Sequence, residues 1–150
     1  MSYLMVIKAP QFTLPDENER LHSLSDYLGK KIVLYFYPKD ETPTCTTQAC
    51  DMRDNYALYQ EKGIIIIGIS SDSIESHKKF KDNHHLPFPL LADIDHAVAK
   101  AYGAFGGFFR LVGMPQRKTY LIDEQGNLVK KIDKVNVATQ SADILAGFDL

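Results

Sequence analysis

The chain has 150 residues, of which 45% are hydrophobic and 24% charged, with a net charge of −2. That length suits one domain able to bury roughly 70% of the surface its unfolded chain exposes, and the composition excludes extended disorder. Lys and Arg number 17 against 19 Asp and Glu, so binding to a phosphate backbone lacks its driving force and no nucleic-acid partner is expected.

The opening MSYLMVIKAP has no basic region ahead of an apolar run and does not read as a secretory signal. No later stretch approaches the roughly 18 apolar residues of a membrane helix, so neither a membrane partner nor a location outside the cytoplasm is expected. FTLPDENERLHSL places short apolar stretches around a polar turn and predicts an N-terminal hairpin. The unbroken apolar run Ile32 to Tyr37 predicts a central strand buried on both faces. A loop over 38–44 leads into a helix from Thr44 or Cys45 to Lys62, with Ala49, Met52, Tyr56 and Tyr59 at helical spacing and Gly63 as its end.

IIIIGIS over 64–70 is a second buried strand, and Asp72 with Glu75 reads as a capping box opening a helix to about Asn83. LPFPLLAD supplies a short third strand, followed by a helix from His96 to Tyr102 ended by Gly103. RKTYLIDEQGNLVKKI reads as two strands about a Gln-Gly-Asn turn, and a last helix runs from Val137 to Ala146, stopped by Gly147. Strands alternating with helices, plus a late hairpin, imply one α/β domain over 1–150 with a mixed central sheet. Ligand sites in such sheets lie beyond the carboxyl ends of the strands, where residues 38–45 fall.

The two cysteines, Cys45 and Cys50, are the chemistry-bearing feature. In the first helical turn Cys45 meets unpaired N–H groups and the positive end of the helix dipole, both of which favour a thiolate. Lowering a thiol from about 8.5 to about 6 takes about 3.4 kcal/mol, whereas a helix terminus supplies at best about 2, so a cation must assist. On an intact helix, positions five apart are separated by about 8.7 Å between Cα atoms, beyond the roughly 7 Å limit for a disulfide. The pair therefore stays open while one sulfur reacts and closes only if that turn unwinds. A poised thiolate and a second thiol that arrives later suit a sulfenic acid intermediate, with a peroxide as oxidant. Thr42 and the N–H groups around Thr44 and Cys45 are candidate donors to the departing oxygen.

At this point Pro38, Thr42 and Cys45 match the pattern Pro-x-x-x-Thr-x-x-Cys, and the segment resembles the active site of the peroxiredoxin family. A second cysteine at 50 resembles the bacterioferritin comigratory protein, or Q-type, subgroup. APQFTLPDENE, GISSDS, LPFPLLAD and RKTYLIDEQG extend the likeness over nearly the whole chain. The resemblance implies a thioredoxin-like fold and a thiol-dependent peroxidase for hydrogen peroxide and organic hydroperoxides. Cys45 would be peroxidatic and Cys50 resolving, Pro38 would shield the sulfur, and Thr42 would bond to sulfur and peroxide. Arg117, before TYLID, would be the required cation. Reduction by thioredoxin or a similar dithiol is implied, in a monomer or weak dimer, with neither metal nor other cofactor.

Competing roles stand beside these. Cys50 could be core filler, Thr42 a cap, Pro38 a loop starter and Arg117 a surface ion-pair partner, with Arg53 and Arg110 as weaker candidates for the charge. His84 and His85 are adjacent and do not read as a metal pair. GAFGGFFRLVGMPQ departs from the usual family loop; its Phe105, Phe108 and Phe109 read either as packing or as an apolar wall over the site. A disulfide oxidoreductase, or a redox switch that passes a disulfide to a client, would use the same pair of sulfurs.

Overall fold

The computed structural model describes residues 6–150. Residues 1–5, within the stretch expected to carry no secretory signal, lie outside the described residues. The predicted hairpin is present as β1 (Thr13–Pro15) and β2 (Leu21–Ser23), paired antiparallel. Its turn is built by Asp16, whose Oδ1 accepts the N–H groups of Asn18 and Arg20 while Oδ2 meets His22.

The main sheet contains β3 (Lys31–Phe36), β4 (Ile64–Ser70), β5 (Leu90–Ala92), β6 (Lys118–Ile122) and β7 (Leu128–Ile132) in the order β5-β4-β3-β6-β7. β3, β4 and β5 run parallel, and β6 and β7 are antiparallel additions, which makes the mixed sheet of a thioredoxin-like fold. Period-2 alternation splits β3 between two cores. Ile32, Leu34 and Phe36 pack on one face with Phe12, Val98 and Tyr102; Val33, Tyr35 and Tyr37 pack on the other with Ala49, Met52 and Phe80.

Helices α1 (Pro43–Asp54), α2 (Tyr56–Glu61), α3 (Ile74–His84), α4 (Ala97–Tyr102), α5 (Gly107–Leu111) and α6 (Gln140–Gly147) cover the sheet. Among the described residues no helix is long and apolar enough to cross a membrane. Several boundaries differ from those read in sequence. The long helix expected to Lys62 breaks at Asn55, whose side-chain amide donates to the Asp51 carbonyl at 2.9 Å and so competes with the helical ladder. Its start is earlier, because Pro43 takes the first helical position, where a missing N–H costs nothing. α3 is capped by Ser73, which accepts from the Ser76 N–H, and not by Asp72, whose carboxylate is taken by Ser70 and Asp40. α6 begins three residues late, since the Asn136 side chain holds 136–139 in a turn by accepting the Ala138 N–H. α5 went unpredicted.

Gly147 is the last residue of α6 and not the one after it: a Cβ there would overlap Leu121 of β6, so the residue permits close approach of helix to sheet. Leu121 is fully buried and cannot swing away freely. A Gly147→Ala variant should accordingly lose about 1–3 kcal/mol of stability. Urea unfolding at neutral pH measures it, and an unchanged midpoint would show that the helix shifts without strain.

Candidate active site

The site forms where the sheet register and α1 converge. β3 ends at Phe36 and the chain turns through Pro38–Glu41 into α1, with Thr42 at the helix N-cap and Cys45 in the first turn. The first helical bond is from the Thr46 N–H to the Thr42 carbonyl at 2.9 Å, so the N–H groups of Thr44 and Cys45 precede the ladder and face outward from the helix end. Because β6 is antiparallel to β3 and Lys118 lies opposite Phe36, the residue before β6 comes to the same end of the sheet. That residue is Arg117.

Cys45 is 1% exposed, among Tyr35, Ala49 and Met52. Burial penalises a charged sulfur, but the Arg117 Nη2 donates to Sγ at 3.3 Å, and the helix terminus adds its own positive potential. Arg117 is oriented by Gln48, whose Oε1 accepts from Nη1 at 2.5 Å. Arg53 instead bonds Asp54 and the His84 carbonyl, and Arg110 is exposed on α5; of the three arginines considered, Arg117 reaches the sulfur. Thr42 is half-buried and its hydroxyl donates to the Lys39 carbonyl at 2.8 Å and not, as expected, to the sulfur, because the one hydroxyl proton is already taken; the Oγ1 lone pairs stay free to accept. Pro38 is buried beside it.

Cys50 is half-buried on the same unbroken helix, and both cysteines are free thiols. A cleft of about 430 Å³ opens beside the loop, bounded by Pro38, Thr42 and Asp72 on one side and by Val112, Gly113 and Met114 on the other. None of the three phenylalanines lines it. Phe105 stacks on His96 with ring centres 4.3 Å apart, Phe108 is exposed, and Phe109 rests edge-on against Phe108. The packing reading therefore holds for Phe105, and the segment after α5 supplies the wall.

Below the loop, Asp40 accepts hydrogen bonds from the Tyr37 hydroxyl (2.6 Å) and the Ser76 hydroxyl (2.8 Å), and its Oδ2 lies 2.7 Å from His77 Nδ1. Burial, then the negative charge of Asp40, push the Tyr37 phenol well above its usual range, so it stays protonated and donates. The same two causes in the same order raise Tyr35. Asp40, Asp72 and His77 offer ligand atoms within 4.8 Å of one another, the one such group among the described residues. The hydroxyl protons already directed at Asp40 would have to turn away before a cation entered. His84 bonds Glu41, and His85 ends α3 in a left-handed conformation, so the two imidazoles serve separate purposes.

Sequence reasoning missed Gln48, although its spacing was readable: it lies three residues after Cys45, hence on the same helix face, as a polar residue in an apolar stripe. It also missed Gln140, whose side-chain amide reaches from α6 to the Gln48 carbonyl (2.9 Å) and the Asp51 carboxylate (2.8 Å), a contact across 92 and 89 positions that no local pattern announces.

Comparison with known proteins identifies the family. The AhpC/TSA family matches residues 7–131. Peroxiredoxin Bcp of Bacillus subtilis is 46% identical over 144 residues, covering 92% of this chain and 90% of the relative. A putative peroxiredoxin bcp of Coxiella burnetii is 42% identical over 144 residues, covering 92% and 93%. Among solved structures, the bacterioferritin comigratory protein of Xanthomonas campestris superposes with a TM-score of 0.85 at 30% identity, covering 92% of this chain and 90% of that one. A buried cysteine at a helix N-terminus beneath an arginine, on a thioredoxin-like sheet and with relatives this near, leads to one assignment: the chain belongs to the AhpC/TSA family and is a peroxiredoxin of the Bcp and Q kind, a thiol-dependent peroxidase.

Proposed function

We propose that Cys45 is the peroxidatic residue and Cys50 the resolving one. The Cys45 thiolate attacks one oxygen of the hydroperoxide, the O–O bond breaks, and the departing alkoxide or hydroxide takes up a proton to leave as alcohol or water. Cys45 becomes a sulfenic acid. The Cys50 thiolate then attacks that sulfur, the S–O bond breaks, and the departing hydroxide takes up a proton to leave as water, which gives a Cys45–Cys50 disulfide. A thioredoxin-type dithiol returns both thiols by exchange. Arg117 stabilises charge on sulfur and then on the departing oxygen, Thr42 accepts from the peroxide O–H, and Pro38 keeps bulk water from the sulfur.

The observation that carries this reading is the 3.3 Å approach of the Arg117 guanidinium to a sulfur at a helix N-terminus, with the Thr42 acceptor one turn away. A general disulfide oxidoreductase is disfavoured because two cysteines five apart on an unbroken helix cannot pair without unwinding. We place the enzyme in the cytoplasm as a single-domain monomer or weak dimer acting on hydrogen peroxide and organic hydroperoxides. The organic substrates are supported by the Xanthomonas campestris relative, a protein with alkyl peroxide reduction activity.

Mixing the reduced protein with hydrogen peroxide tests the assignment. Wild type should consume one equivalent far faster than a free thiol, and Cys45→Ser should consume none at that rate. A wild-type rate equal to that of free cysteine, or a Cys45→Ser variant that retains it, would remove the proposal.

A further inference from the structure

His77 and Asp40 are buried ionisable groups that the thiol chemistry does not use. Their side chains are 0% and 2% exposed, and they meet at 2.7 Å. The second imidazole nitrogen, Nε2, lies 3.0 Å from the Leu91 carbonyl, which can only accept, so Nε2 carries a proton and donates. Asp40 is also held through its backbone, whose N–H donates to Asp72 Oδ2 at 2.9 Å; that oxygen in turn receives the Ser70 hydroxyl at 2.6 Å. One loop residue is thereby fixed to α3 through Ser76 and His77, to the end of β4 through Ser70 and Asp72, and, through the imidazole, to β5.

The neighbouring residues carry the constraint to the sulfur. Glu41 has φ 63°, a left-handed conformation that is sparsely populated for residues other than glycine and persists when the surroundings over-determine it. Its carboxylate accepts from Asn83 and His84 at 3.1 Å each, so the far end of α3 grips the loop as well. The next residue is Thr42, with its hydroxyl committed to Lys39. A fully buried charged or proton-sharing pair is a poor source of net stability against apolar packing of similar volume, which leaves specification of geometry as its distinctive contribution.

We infer that His77 and Asp40 are positioning residues for the peroxide step: they anchor the 38–42 loop to α3, β4 and β5 so that Thr42 Oγ1 stands where the hydroperoxide must be held in line with Cys45. The inference rests on the peroxidase reading above and adds to it residues that touch neither sulfur nor substrate. Displacement of a positioning group by about 1 Å costs on the order of 100-fold in rate. Alkylation of Cys45 by iodoacetamide needs the thiolate but no aligned O–O bond, and so is insensitive to where Thr42 stands.

The test compares wild type, His77→Gln and Ser76→Ala as full-length, reduced proteins. Each is assayed for the rate of sulfenic acid formation with hydrogen peroxide and for the rate of alkylation by iodoacetamide. His77→Gln should slow the peroxide reaction about 10- to 100-fold while alkylation stays near the wild-type rate. Ser76→Ala removes one donor to the same carboxylate from a half-buried position, and should show the same split at smaller amplitude; it serves where His77→Gln does not fold. A folded variant with an unaltered peroxide rate overturns the inference. Equal loss of both rates does so too, because it locates the effect at the thiolate or in the fold at large. Wild type failing to outpace free cysteine would instead remove the parent reading, so the two failures are distinguishable.

Discussion

An Arg117→Ala variant is expected to react with hydrogen peroxide about 10²- to 10³-fold more slowly than wild type, the range found when one donor to a developing anion is removed. Two functions are lost together. Nη2 no longer offsets the cost of holding a charged sulfur where only 1% of the residue is exposed, and no cation remains to receive charge as it moves from sulfur to the departing oxygen. Helix α1 retains its open N–H groups, but the dipole alone is worth about 0.3–1 kcal/mol and at best about 2. Iodoacetamide alkylation should also slow, in contrast to the His77 variants, where alkylation persists. Arg117→Lys should recover only part of the loss, because an ammonium cannot bond Gln48 and the sulfur in one planar fork. An alkylation rate equal to that of wild type would show that Arg117 does not act on the Cys45 sulfur.

How much of this could be read beforehand depends on whether the determining contacts are local. β3 was legible because six consecutive apolar residues, Ile32–Tyr37, are all buried, and a central strand covered on both faces meets that pattern. The turn at Gly126 was legible from its residues: φ is +80° there, and Asp123 Oδ1 accepts the N–H groups of Gln125 and Asn127. Cys45, Thr42 and Pro38 lie within one loop and one helical turn, so spacing alone brought them together. Arg117 needed the β3–β6 register, which the family resemblance supplied and periodicity did not.

What escaped was set by side chains competing with the backbone or by partners remote in sequence. Asn55 ends α1 by bonding Asp51, yet asparagine is tolerated inside many helices, so its presence did not announce a break. Asp72 looked like a cap because it precedes a helix at the right spacing; in the structure its carboxylate binds the 38–42 loop and Ser73 takes the cap. The Asp40–His77 pair joins positions 37 apart. In the sequence these are simply one aspartate after a proline and one histidine on a helix.

The second large expected effect concerns disulfide closure. In the reduced protein α1 is continuous from Pro43 to Asp54, so Cys50 can reach Cys45 only after the turn between them opens. That turn carries Gln48, and the next carries Asp51, and both are held by the single Gln140 side-chain amide from α6. Ser141 adds a third bond, to the Asp51 carboxylate at 3.1 Å, and is itself steadied by the Tyr59 hydroxyl at 2.7 Å. A neutral hydrogen bond contributes about 1 kcal/mol net and one to a charged group about 1.5–3, so removing the Gln140 pair should favour the open turn by roughly 2.5–4 kcal/mol, or about 70- to 900-fold. Gln140→Leu keeps a buried side chain of similar size and removes both donors. After one equivalent of peroxide it should form the Cys45–Cys50 disulfide about 70-fold faster than wild type or more, with sulfenic acid formation itself unchanged. Rapid quenching with a sulfenic-acid trap at successive times resolves the two steps, and Cys50→Ser, which can only accumulate the trapped species, fixes the baseline. Equal closure rates in wild type and Gln140→Leu would mean that α6 does not restrain the turn, and that the barrier to resolution lies within the hydrogen bonds of α1 alone.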